Sequence, residues 1–251
     1  MSMLESIQTG RENKPPRLMI YGQEGVGKST LGATAPDAIF VQTEDGLGEI
    51  DCRKFPLAQN LGDVLAALTA LRDEDHNFRT VVIDSLDWLE RQIFDEVCKE
   101  FGVRSIEKAD GGFGKGYVDA LVHWRKVLSL LDDLRNKRGM MVILLAHAKV
   151  ERFEDPENTA YDRYAPRLHK HAASLISEWV DAVMFATKRM RVSKDGDARA
   201  IASPIGADGG ERVLRTNGSP ACIAKNRFGL PNEIPLSWDA FLQAYQNSVA
   251  S

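Results

Sequence analysis

The stretch Gly22-Gln23-Glu24-Gly25-Val26-Gly27-Lys28-Ser29-Thr30 limits what this chain can become. It fits the pattern G-x-x-x-x-G-K-[ST]. Before it stands Arg17-Leu18-Met19-Ile20-Tyr21, a short apolar run that reads as a buried strand. After it, residues 29–35 suit a short helix that must stop near Pro36. Strand, glycine loop and helix in that order make the pattern a phosphate site. Gly22, Gly25 and Gly27 let successive backbone N–H groups turn inward, and the helix N-terminus through Thr30 adds partial positive charge. Lys28 is expected to reach the β- and γ-phosphates, and the Ser29 hydroxyl to ligate Mg²⁺.

At 251 residues the chain suits one large domain, or one domain with a small appendage. No apolar run approaches the roughly 18 residues of a membrane span, so no membrane partner is expected. The first six residues lack the basic-then-apolar order of a secretory signal. Cys52, Cys98 and Cys222 are widely spaced, without a C-x-x-C pair. That argues against a disulfide framework or zinc site and makes a reducing cytoplasm the expected setting. A net charge of −4 excludes a uniformly basic surface but leaves room for a local basic groove.

Further along, Ala38-Ile39-Phe40-Val41 reads as a second strand, followed by Gln42-Thr43-Glu44-Asp45-Gly46. A glutamate just past a strand beside a phosphate loop is placed to orient and deprotonate a water. A solvated acidic turn is the competing reading. Asn60 is set to cap a helix over 61–73, with Leu61, Val64, Leu65, Leu68 and Leu71 on one stripe. Thr80-Val81-Val82-Ile83-Asp84-Ser85 has the Walker B form, an apolar strand ending in a carboxylate that holds Mg²⁺. Leu86, Leu89, Ile93 and Val97 then repeat at helical spacing. Met140 to Ala146 is a fully apolar run, the mark of a central parallel strand, and it ends on His147. Such alternation predicts a parallel sheet covered on both faces, with ligands outside the carboxyl ends of the strands. Glu44, Asp84 and His147 should therefore gather near Lys28.

Two loops separate these elements. Residues 103–117 carry four glycines near Phe113, Lys115 and Tyr117, residue types that suit base stacking and phosphate contact; a flexible linker is the other reading. A helix over 118–138 follows, with Gly139 as its C-terminal cap. Residues 148–167 read as a long polar loop bearing Lys149, Arg152, Arg163 and Arg167, interleaved with five acids. A helix over 168–179 and a core strand over 182–186 come next. The C-terminal part holds a hairpin turning on Lys194-Asp195-Gly196-Asp197, short strands at 212–215 and 221–224, and then Lys225-Asn226-Arg227. Two cations one residue apart on a strand project to the same face, a fork able to meet a phosphate.

These residues resemble the RecA-type ATPase core, and most of all a phage branch in which small core-only proteins serve as single-strand annealing or recombination ATPases. The similarity spans roughly residues 17–230. It rests on the Gly22–Thr30 loop, on Thr43-Glu44-Asp45-Gly46 as the catalytic-glutamate segment, and on the Asp84-Ser85 pair. The resemblance implies a RecA-like P-loop α/β fold, with a mostly parallel sheet covered by helices on both faces and a C-terminal antiparallel extension. Its expected parts are residues 1–16 as an extension, 17–188 as the core, and 189–251 as a β-hairpin region packed on it. ATP and Mg²⁺ are the implied cofactors. Single-stranded DNA is the implied partner, held by the two loops, together with further copies of the chain and a single-strand-binding protein. His147 stands where RecA proteins carry a glutamine that senses the γ-phosphate. Lys225 and Arg227 resemble the K-x-R element that reaches a neighbour's nucleotide. A phage protein of this kind would work in the cytoplasm of a bacterial host. Two other functions stay open: a nucleotide-gated binding module with little hydrolysis and a protein partner, and a ring translocase of DnaB character.

Overall fold

The computed structural model describes residues 3–7, 9, 10, 12, 14–157, 159–193, 201–205 and 210–249. Its centre is β1 (Arg17–Gly22), whose side chains are buried on both faces. Leu18 and Ile20 point into one core, Met19 and Tyr21 into the other, as the two-residue period of a strand requires. The elements that follow are α1 (Lys28–Ala33), β2 (Ala38–Gln42), β3 (Arg53–Lys54), α2 (Leu61–Asp73), β4 (Thr80–Asp84), α3 (Leu86–Glu100) and α4 (Lys115–Arg138). After them come β5 (Met141–Phe153), β6 (Tyr161–Pro166), α5 (Lys170–Trp179), β7 (Ala182–Lys188), β8 (Met190–Ser193) and β9 (Ile201–Pro204). The chain closes with β10 (Arg212–Arg215), β11 (Lys225–Asn226), β12 (Glu233–Pro235) and α6 (Trp238–Val249).

The main sheet runs β12-β10-β7-β1-β5-β4-β2-β3, with β11 added to β7 and β6 to β5. From β7 to β3 all pairs are parallel, while β10, β11 and β12 add antiparallel. Helices α2 to α5 cover one face; α1 and α6 cover the other. This is the expected α/β architecture, a mostly parallel sheet covered by helices on both faces with an antiparallel C-terminal extension. Among the described residues, no helix is long and apolar enough to cross a membrane.

Local chemistry behaves as the residue types dictate. Asn60 Oδ1 accepts from Asp63 N at 3.2 Å and caps α2. Gly139, at φ 65°, ends α4 with its N–H on the Leu134 carbonyl. Of the extension, Pro15 and Pro16 are tied down: their carbonyls accept from Arg135 Nε and Val142 N.

Several expectations need correction. His147 does not end its strand. β5 continues to Phe153, leaves the buried sheet, and pairs antiparallel with β6 from Ala148↔Pro166 to Phe153↔Tyr161. The supposed loop over 148–167 is thus mostly hairpin. Its cross-strand pairs Glu151↔Arg163 and Phe153↔Tyr161 stabilise strands whose charged composition reads as loop. The glycine-rich stretch is also ordered. A 3₁₀ turn spans Ile106–Gly111 and α4 begins at Lys115, so Lys115 and Tyr117 lie in its first turn. Gly116 permits this approach, because a Cβ there would stand 2.3 Å from the Ile106 carbonyl oxygen. Residues 221–224 form isolated bridges around Cys222 and no strand. The expected hairpin is present as β8 paired with β9, but its turn at 194–197 lies outside the described residues.

Candidate active site

Two parallel registers bring the site together. Gly22 sits beside His147 across β1 and β5, and Asp84 sits beside Gln42 and Leu145 across β4, β2 and β5. Residues just past neighbouring strand ends therefore share one edge of the sheet. Here the phosphate loop turns into α1. Gly25 and Gly27 adopt φ of 70° and 105°, a region that side chains avoid. Gly22 is required for space, since a Cβ would lie 2.3 Å from the Ala186 carbonyl oxygen on β7. Lys28 is 6% exposed and curls back, donating to the Gly22 and Gln23 carbonyls at 3.0 Å each. Burial holds its ammonium below the usual lysine range, and the charges of Asp84, Asp87 and Glu44 oppose that shift.

The carboxylates are positioned by named partners. Ser29 Oγ donates to Asp84 Oδ2 at 2.6 Å. Burial raises the Asp84 carboxyl, the Ser29 hydrogen bond lowers it, and nearby Glu44 raises it again; the net shift is upward. Across β2 and β4, the Thr43 hydroxyl donates to the Ser85 carbonyl and accepts from Ser85 N, at 2.6 and 2.9 Å. The Asp84–Ser85 peptide within this clasp is cis. Ser85 Oγ then donates to Glu44 Oε2 at 2.9 Å. His147 Nδ1 lies 3.8 Å from the same glutamate oxygen.

Asp87, on the first turn of α3, organises the opposite side. It accepts from His147 N and Nδ1 at 3.1 and 3.0 Å, and from Arg167 Nη2 at 2.8 Å. Burial alone would raise its carboxyl, yet the hydrogen bonds from His147 and Arg167 outweigh that and hold it well below the usual range. An ionised carboxylate only accepts, so Nδ1 of His147 carries a proton. One turn along α3, buried Glu90 makes no ion pair among the described residues, and Lys149 acts on it only through space. It accepts from His169 N, and burial pushes its carboxyl up to about 7. Lys28, Ser29, Thr30, Glu44, Asp84 and His147 line a cavity of about 430 Å³ with Glu24, Gly25, Gly27, Gly46, Ile50 and Arg212.

The remaining expected site residues lie elsewhere. β11 pairs Lys225 with Val183 and Asn226 with Ala182, at the start of β7. The cavity is at the other end of that strand, so Lys225 and Arg227 cannot reach their own chain's cavity. They do share a face: Lys225 Nζ donates to the carbonyls of Ser177, Glu178 and Val180, capping α5, and Arg227 Nη2 reaches Glu178 O. Phe113 is fully exposed before α4, while Lys115 pairs with Asp110 at 3.6 Å. Tyr117 stacks on His169 with ring centroids 4.0 Å apart. On the hairpin, Lys149 donates to the Leu168 carbonyl, Arg152 pairs with Glu154, and Arg163 pairs with Glu151 while lying over Phe153. Arg167 is drawn away from this surface to Asp87 and, at 3.6 Å, to Glu24 of the phosphate loop.

The sequence reading quoted Thr43 and Ser85 only beside Glu44 and Asp84 and gave them no role, and it missed Asp87 and Arg212. For Asp87, a carboxylate at i+3 from Asp84 on the first turn of a helix was an available signal. Nothing in the sequence marks Arg212, which reaches the cavity through β10 pairing with β7.

YorG, an uncharacterized protein derived from the SPbeta prophage of Bacillus subtilis (strain 168), is 23% identical over 201 residues, or 78% of this chain. The chain spans 57% of that relative's length. The crystal structure of the RadB recombinase superposes with a TM-score of 0.47 at 13% identity, covering 88% of each chain. A family model described as an AAA domain matches residues 14–228, and with the phosphate loop, Asp84 and Glu44 all inside that span, the chain belongs to the AAA domain family.

Proposed function

We propose that this chain is a Mg²⁺-dependent ATPase that binds single-stranded DNA and assembles with itself for recombination or strand annealing. One observation carries this: Lys28, the Ser29–Asp84 pair, the Ser85–Glu44 pair and His147 all meet around one cavity. In this reading the loop N–H groups and Lys28 bind the phosphates. Ser29 and Asp84 are oxygen donors held together beside the loop, a set that fits a small hard cation keeping most of its water. They would hold Mg²⁺, which when bound neutralises phosphate charge. Glu44 has one oxygen fixed by Ser85, which leaves the other to take a proton from water. His147, pinned by Asp87, is the group placed to register whether the far end of the phosphate chain is present.

Arg227 and Lys225 lie at the far end of the strands, so they would serve a neighbour's nucleotide. A cation supplied in trans can be worth ~10³–10⁵ in rate. Phe113, Lys115, Tyr117, Lys149, Arg152, Arg163 and Arg167 are the proposed DNA contacts, with exposed Phe113 the freest for stacking. The prophage origin of YorG supports a phage setting in a bacterial cytoplasm.

The test is ATP turnover with and without a single-stranded oligonucleotide across a salt series. Stimulation at low salt that fades as salt rises is expected, because phosphate contacts release counterions. Glu44→Gln should lower turnover ~10²–10⁴-fold while ATP affinity stays within a few-fold. Low turnover in the unaltered chain, no oligonucleotide effect and no change on Glu44→Gln would instead identify a nucleotide-gated binding module.

A further inference from the structure

We propose that Asp87 is a positioning residue for hydrolysis: it holds His147 in the form whose Nε2 accepts a hydrogen from the attacking water. The inference rests on the hydrolysis reading above and deepens it. All but one of the polar groups of His147 are already engaged. Its backbone N–H and its Nδ1 donate to Asp87 at 3.1 and 3.0 Å, and its carbonyl accepts from Arg167 N at 2.8 Å. Nε2 has no hydrogen-bond partner among the described residues, and the residue lines the phosphate cavity. A neutral imidazole carries one ring proton. With that proton on Nδ1 and directed at Asp87, Nε2 keeps a lone pair and has nothing to donate.

Asp87 is itself fixed from a second side. Arg167 Nη2 and Nε donate to its Oδ2 at 2.8 and 3.3 Å, which keeps the carboxylate turned to the ring. A nitrogen that only accepts has nothing to offer phosphate oxygens, which are acceptors too. His147 therefore answers to the terminal phosphate through the water that lies against it. Glu44 lines the same cavity, with its Oε2 bound by Ser85 Oγ and 3.8 Å from His147 Nδ1. One water between Glu44 and Nε2 has both hydrogens held and an oxygen lone pair left for phosphorus. That oxygen bonds the terminal phosphorus as the bond from phosphorus to the bridging oxygen breaks. Glu44 takes one proton, the other stays on the released phosphate, and the bridging electron pair leaves with the diphosphate.

Nitrogen-15 spectra of the histidine rings tell the two neutral forms apart, and the His147 signals are those lost in His147→Gln. At pH 8 the unaltered chain should show a proton on Nδ1 of His147 and none on Nε2. Asp87→Asn can turn an N–H toward Nδ1. It should move the proton to Nε2 and lower kcat ~10²-fold, while the Kd for Mg-ATP stays within about threefold. Should Asp87→Asn not fold, the spectrum of the unaltered chain decides. The inference is overturned by a proton on Nε2 in the unaltered chain, by unchanged turnover in Asp87→Asn, or by a slower variant whose Nδ1 still carries the proton. Each of those outcomes leaves the hydrolysis reading standing. No turnover in the unaltered chain overturns that reading, and the role of Asp87 with it.

Discussion

The cavity at the strand ends and the β5–β6 hairpin are both dense in charge, but they hold it differently. In the cavity Asp84, Asp87 and His147 are each at most 8% exposed, and each is fixed by a particular hydrogen bond. On the hairpin Arg152 and Glu154 pair in the open, with side chains 61% and 81% exposed. A buried charge must be matched by a partner or it destabilises the fold. A surface pair gains little and is screened by salt. Geometry in the cavity is therefore dictated by the fold, whereas the hairpin's charges are free to re-pair with a ligand.

This contrast can be broken at its strong end first. Asp87→Asn removes the charge that His147 and Arg167 share, and on the order of 3 kcal/mol of stability should go with it. Urea unfolding measures this. The Asp87 carboxyl is held below its ordinary value of 3.8, so the stability it gives is present above that pH and is lost only as pH falls through the lower, folded value. The deficit of the variant should accordingly be constant between pH 5 and 8.

Glu90 supplies the opposite sign within the same helix. Its carboxyl is raised from 4.5 to about 7. The native state is favoured fully below 4.5, and that advantage is lost as pH rises through 7. Glu90→Gln should match the unaltered protein near pH 4.5 and exceed it at pH 8, by on the order of 2 kcal/mol. Melting curves across that range decide it, and a pH-independent difference would remove burial as the cause. The smallest effect belongs to the hairpin. Arg152→Ala should change stability by no more than about 0.5 kcal/mol. A loss as large as that of Asp87→Asn, in the same urea assay, would erase the distinction between the two regions.

How much was legible in the sequence follows the same division. The phosphate loop, Asp84 and Glu44 were readable because each follows a short apolar run, and strand ends converge in a parallel sheet. The capping of α2 by Asn60 and of α4 by Gly139 was equally local. The hairpin was not readable, because its stability comes from cross-strand pairs whose residues taken singly look like loop. Helix α6 was missed as well, although Trp238 and Phe241 are almost wholly buried in the core with α1.

The sequence by itself determined the phosphate-binding loop, the alternation of strands and helices behind the parallel core, and the three residues that meet Lys28. Those features depend on local backbone needs and on a two- or four-residue period. Only the tertiary structure decided which partners aim the carboxylates, that Asp87 and Glu90 ionise so differently one turn apart, and that Lys225 and Arg227 face away from their own chain's cavity. It also brought Arg212 beside the loop. Each of these depends on contacts between segments far apart in the chain, where burial and the nearest charge act together.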